Sequence, residues 1–162
     1  MMERQYATAR EFFEAARAAS IDAERCRREL RDMEDGADTL GGSGFEPRVR
    51  STPDPDRIGR TVATRVDRRA MLECRQDEDY RLIDAACSVL YGTESDAGLW
   101  ALVGWRADAI YHHYLALRTW AETGALVGYS EQHVRREAQV ALDVADANGT
   151  MWTMLGVGMA QG

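Results

Sequence analysis

The stretch Arg118-Thr119-Trp120-Ala121-Glu122-Thr123-Gly124-Ala125-Leu126-Val127-Gly128-Tyr129-Ser130 constrains the fold more than any other part of this chain. Thr119 is placed to cap a short helix and Ser130 to cap a second one, because their hydroxyls can accept from otherwise unpaired backbone N–H groups. Gly128-Tyr129 between them can make a tight turn, since glycine reaches backbone conformations that other residues avoid. The second helix would bury Val134, Ala138, Ala141, Leu142 and Ala145, which recur at helical spacing. Short helix, glycine turn and serine-capped helix together outline a helix-turn-helix.

The remainder of the chain is also helical in pattern. From Tyr6 to Met33, the residues Ala9, Phe12, Ala16, Ala19, Ala23, Cys26, Leu30 and Met33 recur in alternating steps of three and four. That is a heptad seam, the mark of a coiled coil or a long helical hairpin. Asp35-Gly36 is expected to stop this helix, and an irregular linker is expected over about 35–56, where Gly41-Gly42-Ser43-Gly44, Pro47, Pro53 and Pro55 fall. Helix resumes near Arg57 and runs to about Tyr91. One stripe is Val62, Val66 and Ala70; another is Tyr80, Ile83, Cys87 and Leu90, with a register shift near Asp77. Antiparallel packing on the first helix would bury both. A short helix with Leu99, Trp100, Leu102 and Val103 ends at Gly104, and Arg106–Tyr114 forms another that buries Ala109, Ile110 and Tyr114. The expected architecture is all-α. A long, coiled-coil-like N-terminal hairpin (1–92) precedes a small helix-turn-helix bundle (93–148) and an apolar, glycine-broken tail (149–162).

Composition limits the function classes. A chain of 162 residues needs neither disulfide nor metal to fold. Cys26, Cys74 and Cys87 are odd in number and widely spaced, and read as reduced, buried thiols of a cytoplasmic protein. No apolar run is long enough to span a bilayer, so no membrane association is expected. All 20 basic side chains are arginine, whose planar fork suits phosphates, guanine edges and carboxylates, although a GC-rich genome gives the same preference. The net charge is −7, and from Trp105 to Asp143 four arginines face five carboxylates. A strong autonomous nucleic-acid binder would be basic, so any such binding is expected to be weak, dimeric, or alongside a larger partner that supplies most of the affinity.

Few residues offer chemistry. His112 and His113 are adjacent and diverge around a helix, and His133 lacks ligating companions, so no metal site is expected. Asp77, Glu78 and Asp79 are consecutive and do not converge. No nucleophile elbow or two-metal acidic cluster is present, so neither catalysis nor a cofactor is expected. Trp100, Trp105 and Trp120 fall where a bundle needs bulk. With Val134, Ala138, Ala141 and Leu142 turned inward, Gln132, Arg135, Arg136 and Gln139 share the outward face of the second helix. Arginine can pair with guanine and glutamine with adenine in the major groove, so these four are the expected base-reading residues. Arg118, Thr119, Ser130 and His133 are expected near phosphates.

The C-terminal third resembles region four of bacterial sigma factors, as used by phage-encoded late-gene transcription regulators of the RinA and ArpU kind. The residues that carry the likeness are His113-Tyr114, Thr119-Trp120-Ala121-Glu122, Gly128-Tyr129-Ser130, Val134, Arg135, Ala141 and Leu142. Thr123 and Gly124 stand where that family has Ile-Ala, Val127 replaces a leucine, and His113 replaces an arginine. The resemblance implies a non-enzymatic regulator that binds double-stranded DNA, with RNA polymerase among its partners and self-association, favouring a dimer, through the N-terminal seam. Two alternatives share the layout: a packaging component resembling a small terminase subunit, and a helical protein-interaction module that does not bind DNA.

Overall fold

The computed structural model describes residues 6–39, 55–94 and 97–149, and every regular element among them is helical. In chain order these are α1 (Ala9–Thr39), α2 (Pro55–Tyr91), α3 (Trp100–Val103), α4 (Trp105–Ile110), α5 (Trp120–Val127) and α6 (Glu131–Ala147). α4 continues without interruption into a π-helical turn over Tyr111–Leu115. The fold is therefore all-α. The glycine run Gly41–Gly44, Pro47, Pro53 and the tail beyond Gly149 lie outside the described residues.

Two compact units emerge from the contacts. One unites the described residues up to Ile21 with those from Asp79 onward, and the other is Asp22–Glu78. The division therefore does not follow the boundary near residue 92 drawn from the sequence. The start of α1 shares a core with the C-terminal helices: Phe12, Phe13 and Ala16 lie in one buried cluster with Leu90, Leu99, Ile110, Ala141 and Leu142. Phe13 meets Tyr114 at a ring separation of 5.9 Å. Thr8 initiates α1 by accepting from the Glu11 N–H at 3.2 Å. The Ala9 N–H donates to the Asp146 carboxylate, near the end of α6, at 2.6 Å. Those two contacts satisfy donors that a helix start otherwise leaves unpaired.

The heptad seam is buried from Ala9 to Cys26 and half-buried at Leu30 and Met33, as its spacing implies. Asp35-Gly36 does not end α1, which runs on to Thr39, and Pro55 starts α2 instead of preventing helix, a position where its missing N–H costs nothing. Within Asp22–Glu78 the two helices run antiparallel and are tied mainly by polar contacts. Arg68 pairs with Glu29 at 2.7 Å, Arg69 with Glu34 at 3.1 Å, Arg75 pairs with Asp22, and the Arg65 guanidinium donates to the Met33 carbonyl. Among the described side chains on this part of α2, Leu72 is the buried apolar one, whereas Val62 (56%) and Val66 (61%) are exposed, and so is Ala70. The predicted stripe thus faces away, because the residues aimed at α1 are arginines that reach its carboxylates. Further along, α2 is one unbroken helix that buries Ala86, Val89 and Leu90, while Tyr80 is exposed and Ile83 and Cys87 are half-buried. Cys26 alone of the three thiols is fully buried, and Cys74 is exposed.

Candidate nucleic-acid interface

α5 and α6 form the helix-turn-helix, and each joint in it has a visible cause. At the entry, the Thr119 hydroxyl accepts from the Glu122 N–H at 3.2 Å, and the Glu122 carboxylate accepts from the Thr119 N–H at 2.7 Å. This reciprocal box satisfies two donors at once. It also holds the Glu122 carboxyl below its ordinary range, chiefly through the Thr119 backbone bond. α5 ends at Gly128, whose φ of 81° is left-handed and suits glycine. Ser130 then caps α6, its hydroxyl accepting from the His133 N–H at 3.3 Å. α6 buries Val134, Ala138, Ala141, Leu142 and Ala145, the five residues expected from the spacing.

Two residues unusual for a helix that packs into a core, Thr123 and Gly124, are accommodated in α5. Thr123 is fully buried, but its hydroxyl donates to the Thr119 carbonyl at 2.9 Å, so no polar group is stranded. Gly124 sits where the turn crosses α5. A Cβ there would lie 2.6 Å from the Tyr129 carbonyl oxygen and 3.2 Å from the Glu131 nitrogen. Glycine at this place lets the two helices approach backbone to backbone.

Aromatic rings brace the motif on two sides. Trp105 stacks on Tyr129 at 4.5 Å, beside His133. Arg106 pairs with Glu137 at 2.6 Å, locking α4 to α6, and this hydrogen bond holds the Glu137 carboxyl below its usual range. Opposite, His113 stacks on Trp120 at 3.6 Å, and its Nδ1–H donates to the Arg118 carbonyl at 2.9 Å. Burial lowers the His113 pKa, with Arg17 and Arg135 adding to the effect against the bond to Arg118. Neither histidine of the pair faces freely outward: both are half-buried. Trp120 and Trp105 pack as anticipated, but Trp100 is 51% exposed on the short α3 and fills no core position.

The predicted contact residues do not all have the same setting. Gln132, Arg135 and Arg136 are exposed on α6. Gln139 is half-buried and turned along the helix, its amide donating to Asp143 at 2.8 Å. His133 is half-buried in the aromatic stack, and Ser130, Thr119 and Arg118 are exposed at the two caps. Six of the eight (Ser130, Gln132, His133, Arg135, Arg136 and Gln139) line an open groove of about 850 Å³, whereas Arg118 and Thr119 do not. Sequence reasoning missed the opposite side of that groove, formed by Arg10, Glu14 and Arg17 of α1. No local pattern could have revealed it, because Arg17 reaches the His113 carbonyl across 96 positions of chain. No helix among the described residues is long and apolar enough to cross a membrane.

Comparison with known proteins adds no neighbour: no family model, no curated protein and no solved structure matches this chain.

Proposed function

We propose that this chain is a non-enzymatic, sequence-specific regulator of transcription that binds double-stranded DNA, of the phage type its C-terminal third resembles. The observation that carries this reading is the outward presentation of Gln132, Arg135 and Arg136 on a helix delivered by the left-handed Gly128. Side chains of that chemistry, exposed near the start of the second helix, suit base edges in a major groove. Gln139 would read a base only by releasing Asp143, so it is the weakest of the four. Arg118, Thr119, Ser130 and His133 would lie near phosphates, with His133 positioned by its stack.

The expected partners are duplex DNA and RNA polymerase, and the compartment is the cytoplasm. Self-association is expected on this reading, because helix-turn-helix proteins gain affinity by joining two half-sites. The N-terminal seam is buried within the chain, so a second copy would use another face, and the exposed Val62, Val66 and Ala70 of α2 are suited to it. The same stripe would serve the packaging alternative if many copies closed into a ring. Sedimentation separates the two: a dimer agrees with regulation, a large ring with packaging.

The decisive experiment selects duplexes from a random pool with the whole protein, then measures affinity by fluorescence anisotropy. Arg135→Ala and Arg136→Ala should each weaken binding to the selected site by about 1–3 kcal/mol if that arginine reads a guanine edge. Both should melt like the parent, since these side chains are exposed. Unchanged affinity in both variants at low salt would overturn the assignment of base reading to these arginines, and no binding by the parent would leave only a protein-interaction module.

A further inference from the structure

Resting on the DNA reading above, we propose that α1 is the second wall of the duplex-binding cleft, with Arg10 and Arg17 contacting phosphates beside the bases met by α6. The groove along the polar face of α6 is closed on its far side by α1, from which Arg10, Glu14 and Arg17 line it. Its lining therefore carries four guanidinium groups (Arg10, Arg17, Arg135 and Arg136) against one carboxylate. A site of that sign attracts polyanions even in an acidic protein, because nearby charges dominate at ordinary ionic strength.

The two walls are held in register with each other. The Ala9 N–H is bound to Asp146 of α6, and Phe13 packs on Tyr114 at the groove floor. Arg17, which lines the groove, is anchored by donating to the His113 carbonyl. Arg10 is exposed and makes no side-chain hydrogen bond or ion pair with the described residues. A solvent-facing guanidinium without a carboxylate partner among the described residues, on the wall of a cationic groove, is suited to a phosphate. Such contacts fix a protein on the duplex without reading sequence. The arrangement also offsets the local deficit of charge, because Arg10 and Arg17 outweigh Glu14 on a helix distant in sequence.

The test is the salt dependence of binding to a labelled random-sequence duplex, measured with the whole protein. Each phosphate contact contributes about 0.9 to the slope of log affinity against log salt. Arg10→Ala should lower the slope by that amount, so the fall in affinity between about 50 and about 200 mM salt shrinks by a factor of about 3.5. Arg10→Lys should restore it, because a phosphate accepts a point charge where a packing role would not. Base preference in the selected pool should stay the same in both variants. An unaltered slope in Arg10→Ala, with Arg135→Ala still impaired, would overturn this inference and leave the regulator reading intact. Absence of binding by the parent protein at low salt would overturn both.

Discussion

Gly124 shows how far a single residue can contradict its own propensity. In the middle of an exposed helix, glycine costs about 1 kcal/mol relative to alanine, so Gly124→Ala should stabilise α5 if helix formation alone mattered. The neighbouring backbone reverses that expectation. A methyl group would sit 2.6 Å from the carbonyl oxygen of Tyr129, and neither partner is a side chain that could swing aside. Gly124→Ala is therefore expected to lower the melting temperature and, in urea, the midpoint. A variant as stable as the parent would mean that the turn relaxes freely. Sequence reasoning sees only a weak helix former here, because close approach of two backbone segments leaves no pattern in the chain. Thr123 is similar: its burial follows from packing, and its hydroxyl is tolerated through a bond to its own helix.

At the level of elements, legibility depends on how many partners a helix has. α6 packs one face against one core, so its apolar spacing named all five buried residues, and Thr119 and Ser130 named both caps. α2 changes partners along its length. Its first half meets carboxylates of α1 through arginines, and its second half enters the apolar core, so no single stripe describes it. The expected stop at Asp35-Gly36 failed for a related reason: α1 continues alongside α2, where Arg65 holds the Met33 carbonyl. The cap of α5 gives the prediction at this scale. Thr119→Ala removes both the hydroxyl acceptor and one anchor of Glu122 and should cost about 1 kcal/mol. Thr119→Ser should retain most of that stability. Urea unfolding measures both, and an alanine variant no weaker than the serine one would show that the box contributes nothing.

Across the molecule, apolar burial is unevenly distributed. The unit containing the helix-turn-helix buries aromatic and branched side chains from both ends of the described chain. Among its described residues, Asp22–Glu78 buries the apolar side chains of Ala23, Cys26 and Leu72, and exposed ion pairs join its two helices. Exposed pairs contribute about 0–1 kcal/mol each and are screened by salt. Amide hydrogen exchange should therefore be faster through Asp22–Glu78 than through α4 and α6, and addition of salt should widen the gap. Uniform protection along the chain would contradict this. The groove was half legible for the same global reason. Its α6 side follows from helical periodicity, whereas its α1 side exists only because the fold returns Arg10 and Arg17 to the far end of the sequence.

The bond from Ala9 to Asp146 has a practical corollary for anyone dissecting the protein. A fragment cut to hold only the C-terminal helices would lose Phe12, Phe13 and Ala16 from beneath Leu142 and its neighbours, leaving an oily floor in water. The compact unit around this core is discontinuous in sequence, so a linker grafted from the first turns of α1 to the second half of α2 should serve better than a simple deletion.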